Sequence, residues 1–188
     1  TLTAQAEALP FGAARNAVTA AVVVGKGPSG VAIDPAGQFV YVTNQGGNEV
    51  SVIGGAANAL KTTITVGVRP MGLVINRAGS RVYVANGASN TVSVIDTVAL
   101  TTAATIPVDA SPQESAVTPD GLRLFLVHLN ADFVTVIDTA SNLVIKEIVI
   151  GGFLAKDVLF TLDGRFAYIA NYDAGTVNII NTTTYAVA

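Results

Sequence analysis

The chain has 188 residues, 51% hydrophobic and only 12% charged, with mean hydropathy +0.54 and net charge −3. Its 10 basic and 13 acidic residues are scattered singly, so the basic stripe that grips a nucleic-acid backbone is missing and nucleic acid is excluded as a partner. Cysteine is absent, which excludes disulfides, thiolate metal sites and cysteine nucleophiles.

The chain opens on an alanine-rich segment in which Ala4-Gln5-Ala6 before Glu7 fits the small-x-small pattern of a signal-peptidase site. The apolar and basic segments that should precede such a site are not in this sequence, and chance occurrence accounts for the match equally simply. The apolar run from Ala17 to Val24 is far shorter than the roughly 20 residues of a spanning helix. The apolar excess points instead to strands buried on both faces.

Phe39-Val40-Tyr41-Val42-Thr43-Asn44 reads as a strand stopped by asparagine. Arg81-Val82-Tyr83-Val84-Ala85-Asn86 repeats it 42 positions later, Leu124-Phe125-Leu126-Val127-His128 after another 42, and Phe166-Ala167-Tyr168-Ile169-Ala170-Asn171 after 43. Around this strand each unit carries a first strand such as Gly30–Ile33, a third such as Glu49–Ile53 and a fourth such as Leu60–Val66. Asp-Gly or Ala-Gly links the first two, and glycine and asparagine link the next two, as expected of tight turns that need positive φ. Four antiparallel strands at a period near forty describe the blades of a β-propeller. The fold class is therefore all-β, with four-stranded antiparallel blades and a repeat of about 42 residues, at approximately 25–66, 67–108, 109–151 and 152–188. Residues 1–24 form an N-terminal segment whose Asn16–Gly25 matches the outer strand of a preceding or closing blade. Two accounts of the four repeats stay open, a ring closed by that strand and a segment of a larger propeller, with the second favoured.

Tyr41-Val42-Thr43-Asn44, a Val-Ser-Val-Ile-Asp strand after it, and Gly-x-x-Pro and Pro-Asp-Gly elements before it resemble the YVTN-family β-propeller repeat. The resemblance covers residues 25 to about 181. It departs at His128, which stands where the other units have asparagine, at Gly54, and at the missing proline of the fourth unit. It implies an exported or surface protein, extracellular, cell-surface or periplasmic. Relatives of this kind include lactonases and the propeller subunits of periplasmic redox enzymes.

Gly25-Lys-Gly27-Pro-Ser-Gly30 satisfies GxGxxG, but a short strand and a turn follow it where a dinucleotide site needs a helix. It reads as a connection between blades, and no cofactor is expected from it. His128 is the one histidine, which rules out a multi-histidine metal site; its place at a strand end, where Asn44, Asn86 and Asn171 are expected to bond turn backbone, argues for a structural role. Ser29, Met71, Gln113 and Lys156, then Gly30, Gly72, Glu114 and Asp157, occupy equivalent positions at the start of the channel-lining strand. Glu114 and Asp157 on adjacent blades form the candidate cation pair, with calcium the matching ion, or they pair with Lys156 or Lys26. A ligand-binding face at the channel mouth would use Lys26, Arg69, Glu114, His128 and Asp157, with no catalytic residue assigned. The leading expectation is a non-catalytic binding or scaffold module for a protein, small-molecule or glycan ligand. The alternatives are a lactonase-like hydrolase, a redox-enzyme propeller, and a repeat module that adds further blades or chains through open sheet edges.

Overall fold

A computed structural model describes residues 20–187 and contains 15 strands in four antiparallel sheets. The first sheet is β1 (Pro28–Ile33), β2 (Phe39–Asn44), β3 (Glu49–Gly54) and β4 (Ala59–Thr65). The second is β5 (Pro70–Ile75), β6 (Arg81–Asn86), β7 (Thr91–Asp96) and β8 (Thr101–Pro107). The third is β9 (Pro112–Val117), β10 (Arg123–His128), β11 (Phe133–Asp138) and β12 (Leu143–Val149). The fourth holds β13 (Ala155–Phe160), β14 (Phe166–Asn171) and β15 (Thr176–Asn181), with one further bridge from Ile180 to Val187. Each sheet is ordered as its strands follow in sequence, so each is one blade.

The turns form where the sequence placed left-handed residues. Gly37, Gly79, Gly121 and Gly164 turn between the first and second strands at φ of 68–79°. Asn48 and Asn90 do so between the second and third at 55° and 52°, conformations that asparagine tolerates better than most side chains. The first strand begins earlier than expected, at Pro28 rather than Gly30. Register shifts between Pro28 and Val31, Pro70 and Leu73, Val127 and His128, and Ala155 and Asp157 put a bulge at the same end of every blade. Such a bulge re-aims the side chains beside it, and these lie at the channel mouth.

Blades pack face to face, which explains why the second strand is apolar on both sides. Tyr41, Val50, Val52 and Ile64 of the first blade meet Leu73, Val82, Val84 and Ile95 of the second. Tyr83, Val92, Val94 and Ile106 meet Leu124, Leu126 and Ile137 in the next interface. Phe125, Val134, Val136 and Ile148 meet Ala155, Val158, Ala167, Ile169 and Ile180 in the third. Polar pins join the blades as well: Thr43 Oγ1 donates to the Met71 carbonyl at 2.6 Å, and Ser111 Oγ to the Gly87 carbonyl at 2.9 Å. Among the described residues, no helix is long and apolar enough to cross a membrane.

Of the expected strand at 16–25, residues 16–19 lie outside the described residues, as does Ala4-Gln5-Ala6. Residues 20–24 form no strand, and β15 pairs with β14 and makes the Val187 bridge, so ring closure by this segment is not seen among the described residues.

Candidate functional site at the channel mouth

The innermost strands β1, β5, β9 and β13 are successive neighbours around the channel. The loops that lead into them share one face with the loops between second and third strands. Gly46 N donates to the Lys26 carbonyl at 2.9 Å, and Gly87 N to the Arg69 carbonyl at 2.9 Å.

Glu114 lies at the centre of this arrangement. It follows the bulged Gln113, and its carboxylate occupies the space in front of Gly72 on the preceding blade, where any side chain at 72 would collide with it. Gly72 is itself buried. Glu114 is half-buried, and its acidity is weakened accordingly. Burial, and then the charge of Asp157, push its pKa up to about 7 against the Ser115 backbone N–H. Asp157 is exposed and accepts from its neighbour Val158 N at 2.8 Å. Replacing Gly72 by alanine is expected to swing Glu114 into water and return its titration toward the ordinary carboxylate range, read by NMR titration. Stability should change by less than about 1 kcal/mol, because only the free end of a flexible side chain must move.

The other expected mouth residues separate. Lys26 is exposed and lies along Gly46. Arg69 is exposed at φ 57°, with its N–H donating to Asn48 Oδ1 at 3.0 Å, and it borders a crevice with Met71, Pro112, Gln113 and Leu129. Lys156 Nζ sits 5.7 Å from the Tyr172 ring centroid. Among the described residues the ion pair is Arg81–Asp96, at 2.7 Å, and none joins Glu114 or Asp157 to Lys26 or Lys156. Among the described residues no group of three or more His, Cys, Asp or Glu converges there either.

His128 does not face the mouth. It is fully buried, its ring tilted at 50° against the Phe133 ring with centroids 4.9 Å apart, and its Nε2 bonded to Thr135 Oγ1 at 2.8 Å. Burial pushes its pKa down to about 4, opposed by the Ala110 backbone and the Asp109 charge. The strand-end asparagines were expected to bond turn backbone. They bond instead to a side chain of the third strand: Asn44 Nδ2 to Ser51 Oγ at 2.8 Å, Asn86 Nδ2 to Ser93 Oγ at 2.9 Å, and Asn171 to Asn178. His128 with Thr135 is the third blade's version of this pair.

Asp109, beside His128, is not among the expected mouth residues. It occupies the position of Gly25, Gly67 and Gly152, each of which packs directly against its blade's asparagine. The one blade with aspartate in the glycine position is the one with histidine in the asparagine position. The repeat alignment carries both departures, but only contact between the two positions links them.

Solved structures with the same fold include Kuenenia stuttgartiensis hydrazine synthase, at 22% identity and a TM-score of 0.83 over 94% of this chain and 51% of that one. A functionally unknown protein from Desulfotomaculum acetoxidans DSM 771 matches at 18% identity and a TM-score of 0.71, over 86% of this chain and 54% of that one. The dihydro-heme d1 dehydrogenase NirN in complex with DHE matches at 17% and 0.71, over 89% and 38%. The chain thus spans about half the length of the first two. No curated protein matches the sequence. A family model described as "Lactonase, 7-bladed beta-propeller" matches residues 4–105, a stretch that includes Lys26 and Arg69 and ends before Glu114. With more than half of its length matched, the chain belongs to this lactonase-type β-propeller family.

Proposed function

We propose that the chain is part of a hydrolase that opens lactones at the channel mouth, with Glu114 as the general base. The observation that carries this reading is the Glu114 carboxylate, held half-buried against Gly72 on a channel-lining strand with its pKa near neutrality. A base works best when its pKa lies close to the working pH. Glu114 would take a proton from water as the water oxygen adds to the lactone carbonyl carbon. The ring C–O bond then breaks, and the proton passes to the departing alkoxide, giving a hydroxy acid. Arg69 and Lys156 are the cations on the same face available to steady the developing oxyanion.

Family membership favours this over the non-catalytic scaffold expected first. The redox alternative takes its support from the names of two structural neighbours. It is weaker because the single histidine, the usual side chain for holding a haem or a transition metal, is fully buried. We also assign the repeats to the YVTN type, and the protein to the periplasm or cell exterior, on the motif resemblance and the Thr/Asn-rich loops. Hydrolysis of a panel of sugar and acyl lactones, followed by pH-stat, tests the activity. Glu114→Gln should lower kcat about 100-fold or more and abolish the inflection near pH 7, with the melting temperature retained. A rate unchanged in both Glu114→Gln and the Glu114→Gln/Asp157→Asn double variant would refute it.

A further inference from the structure

At the end of the blades opposite the channel mouth lies a cleft of about 400 Å³. It sits between the first and second blades, so both of its walls are blades that this chain packs together. Asp34, Phe39 and Lys61 form one wall, and Thr97, Val98 and Leu100 the other. Its volume falls within the roughly 300–1,000 Å³ of small-molecule sites.

The first blade departs from the repeat at this place. In the second and third blades an arginine opens the second strand with an aspartate opposite, Arg81 with Asp96 and Arg123 with Asp138. Arg81 pairs with its aspartate at 2.7 Å. In the matching cleft between the third and fourth blades, Arg123 Nη1 donates across the gap to the Thr182 carbonyl at 2.9 Å. The first blade has Phe39 opposite Gly54 instead, so its cleft is walled by a ring and spanned by no guanidinium. Lys61 stands where the second blade has Ala103, and its Nζ lies 4.5 Å from the Phe39 ring centroid. Among the described residues it has no ion-pair partner. Asp34 is half-buried, and its Oδ1 accepts from Gln38 N at 2.7 Å. Close to Asp34 the Tyr41 hydroxyl is buried without a hydrogen-bond partner; burial, and then the Asp34 charge, raise its pKa. The cleft thus holds one cation and one carboxylate, unpaired with each other, around an apolar wall.

We propose that this cleft binds a free α-amino acid with an apolar side chain. Its carboxylate meets Lys61, its ammonium meets Asp34, and its side chain lies against Phe39, Val98 and Leu100. A zwitterion gives each of the two charges its opposite. A simple acid would set its charge against Asp34, and a simple amine would set its charge against Lys61, so both are disfavoured. Val98 is 91% exposed and would be covered by the ligand. The argument stands independently of the lactonase reading.

Calorimetric titration of the 188-residue chain with L-phenylalanine, L-leucine, phenethylamine and 3-phenylpropionate tests the proposal. Both amino acids should bind with Kd of about 1 mM or tighter, and the two single-charge analogues at least about fivefold more weakly. Lys61→Ala and Asp34→Asn should each weaken phenylalanine by a similar factor. Both install the second blade's residues, Ala103 and Asn76, and Asn76 Oδ1 still accepts the turn N–H of Ser80 at 2.9 Å, so neither should disturb the fold. Lys61→Ala should also bring phenethylamine level with phenylalanine, a change that a merely structural effect would not produce. Glu114→Gln should leave binding unchanged. No saturable heat with either amino acid up to about 10 mM would overturn the proposal. So would equal binding of 3-phenylpropionate, binding that survives both cleft substitutions, or binding lost in Glu114→Gln, which would move the site to the channel mouth.

Discussion

Phe125→Ala should cost about 3–5 kcal/mol of stability, whereas Tyr168→Ala, at the same position of the next repeat, should cost about 1 kcal/mol in the 188-residue chain. The difference comes from what covers each ring. Phe125 is fully buried between the third and fourth blades, edge-on to Phe160 at 5.1 Å and tilted against Tyr185 at 6.4 Å. Removing it leaves a cavity bounded by strands whose backbones are held by their ladders, so the space cannot collapse. Tyr168 has the same strand position and the same register to its partners, but it is 42% exposed, with no blade in front of it among the described residues. Urea melts of both variants, at concentrations where any assembly is dissociated, should therefore differ by several kcal/mol. Equal losses would mean that inter-blade packing is not the main term holding these sheets.

The second large effect is on pH dependence, where two buried groups oppose each other. His128 has its folded pKa depressed to about 4 from 6.5, so between those values the unfolded chain binds more protons. Its contribution is intact above pH 6.5 and is lost as pH falls through 4, in total about 3 kcal/mol. Glu114 has its folded pKa raised to about 7 from 4.5, so over that interval the folded chain binds more protons and stability falls as pH rises. Its effect is the smaller, because solvent still reaches the carboxylate. Between pH 4.5 and 6.5 the two slopes partly cancel, and the wild-type chain should show only a shallow rise with pH. Glu114→Gln should steepen that rise. His128→Asn, which restores the residue of the other three blades, should reverse it. Denaturant midpoints at pH 4.5, 5.5 and 6.5 read all three slopes, and a His128→Asn profile parallel to wild type would show that another group controls the acid limb.

Much of the fold was legible because a propeller writes its geometry repeatedly. Tyr41, Tyr83, Phe125 and Tyr168, with glycine at 37, 79, 121 and 164, set strand and turn four times over, and agreement between repeats cancels the ambiguity of any one. The bulge at each first strand was not legible, since it depends on which of two neighbouring residues is skipped in the pairing, and Ser29 and Gly30 suit either choice. The site was less readable. Alignment placed Glu114 and Asp157 on adjacent blades, but not the cradle at Gly72, which exists only because a missing Cβ faces a neighbouring strand. It also set His128 among mouth residues, although a strand-end side chain can turn inward to the third strand as easily as outward to the channel. Depth is a property of the packed blades, and a one-dimensional repeat does not record it.

Among the described residues the innermost strands of the blades are neighbours in sequence order, β1 beside β5, β5 beside β9 and β9 beside β13. Every loop that must close to form these three interfaces therefore spans about one repeat. The entropy of closure grows only slowly with loop length, and here the loop length does not grow at all. Folding can begin at whichever interface forms first and spread to either side, as in other repeat arrays. An all-β chain would ordinarily fold slowly because its strands find distant partners. Across these four blades each strand's partners lie next to it or one repeat away, and the search for them stays local.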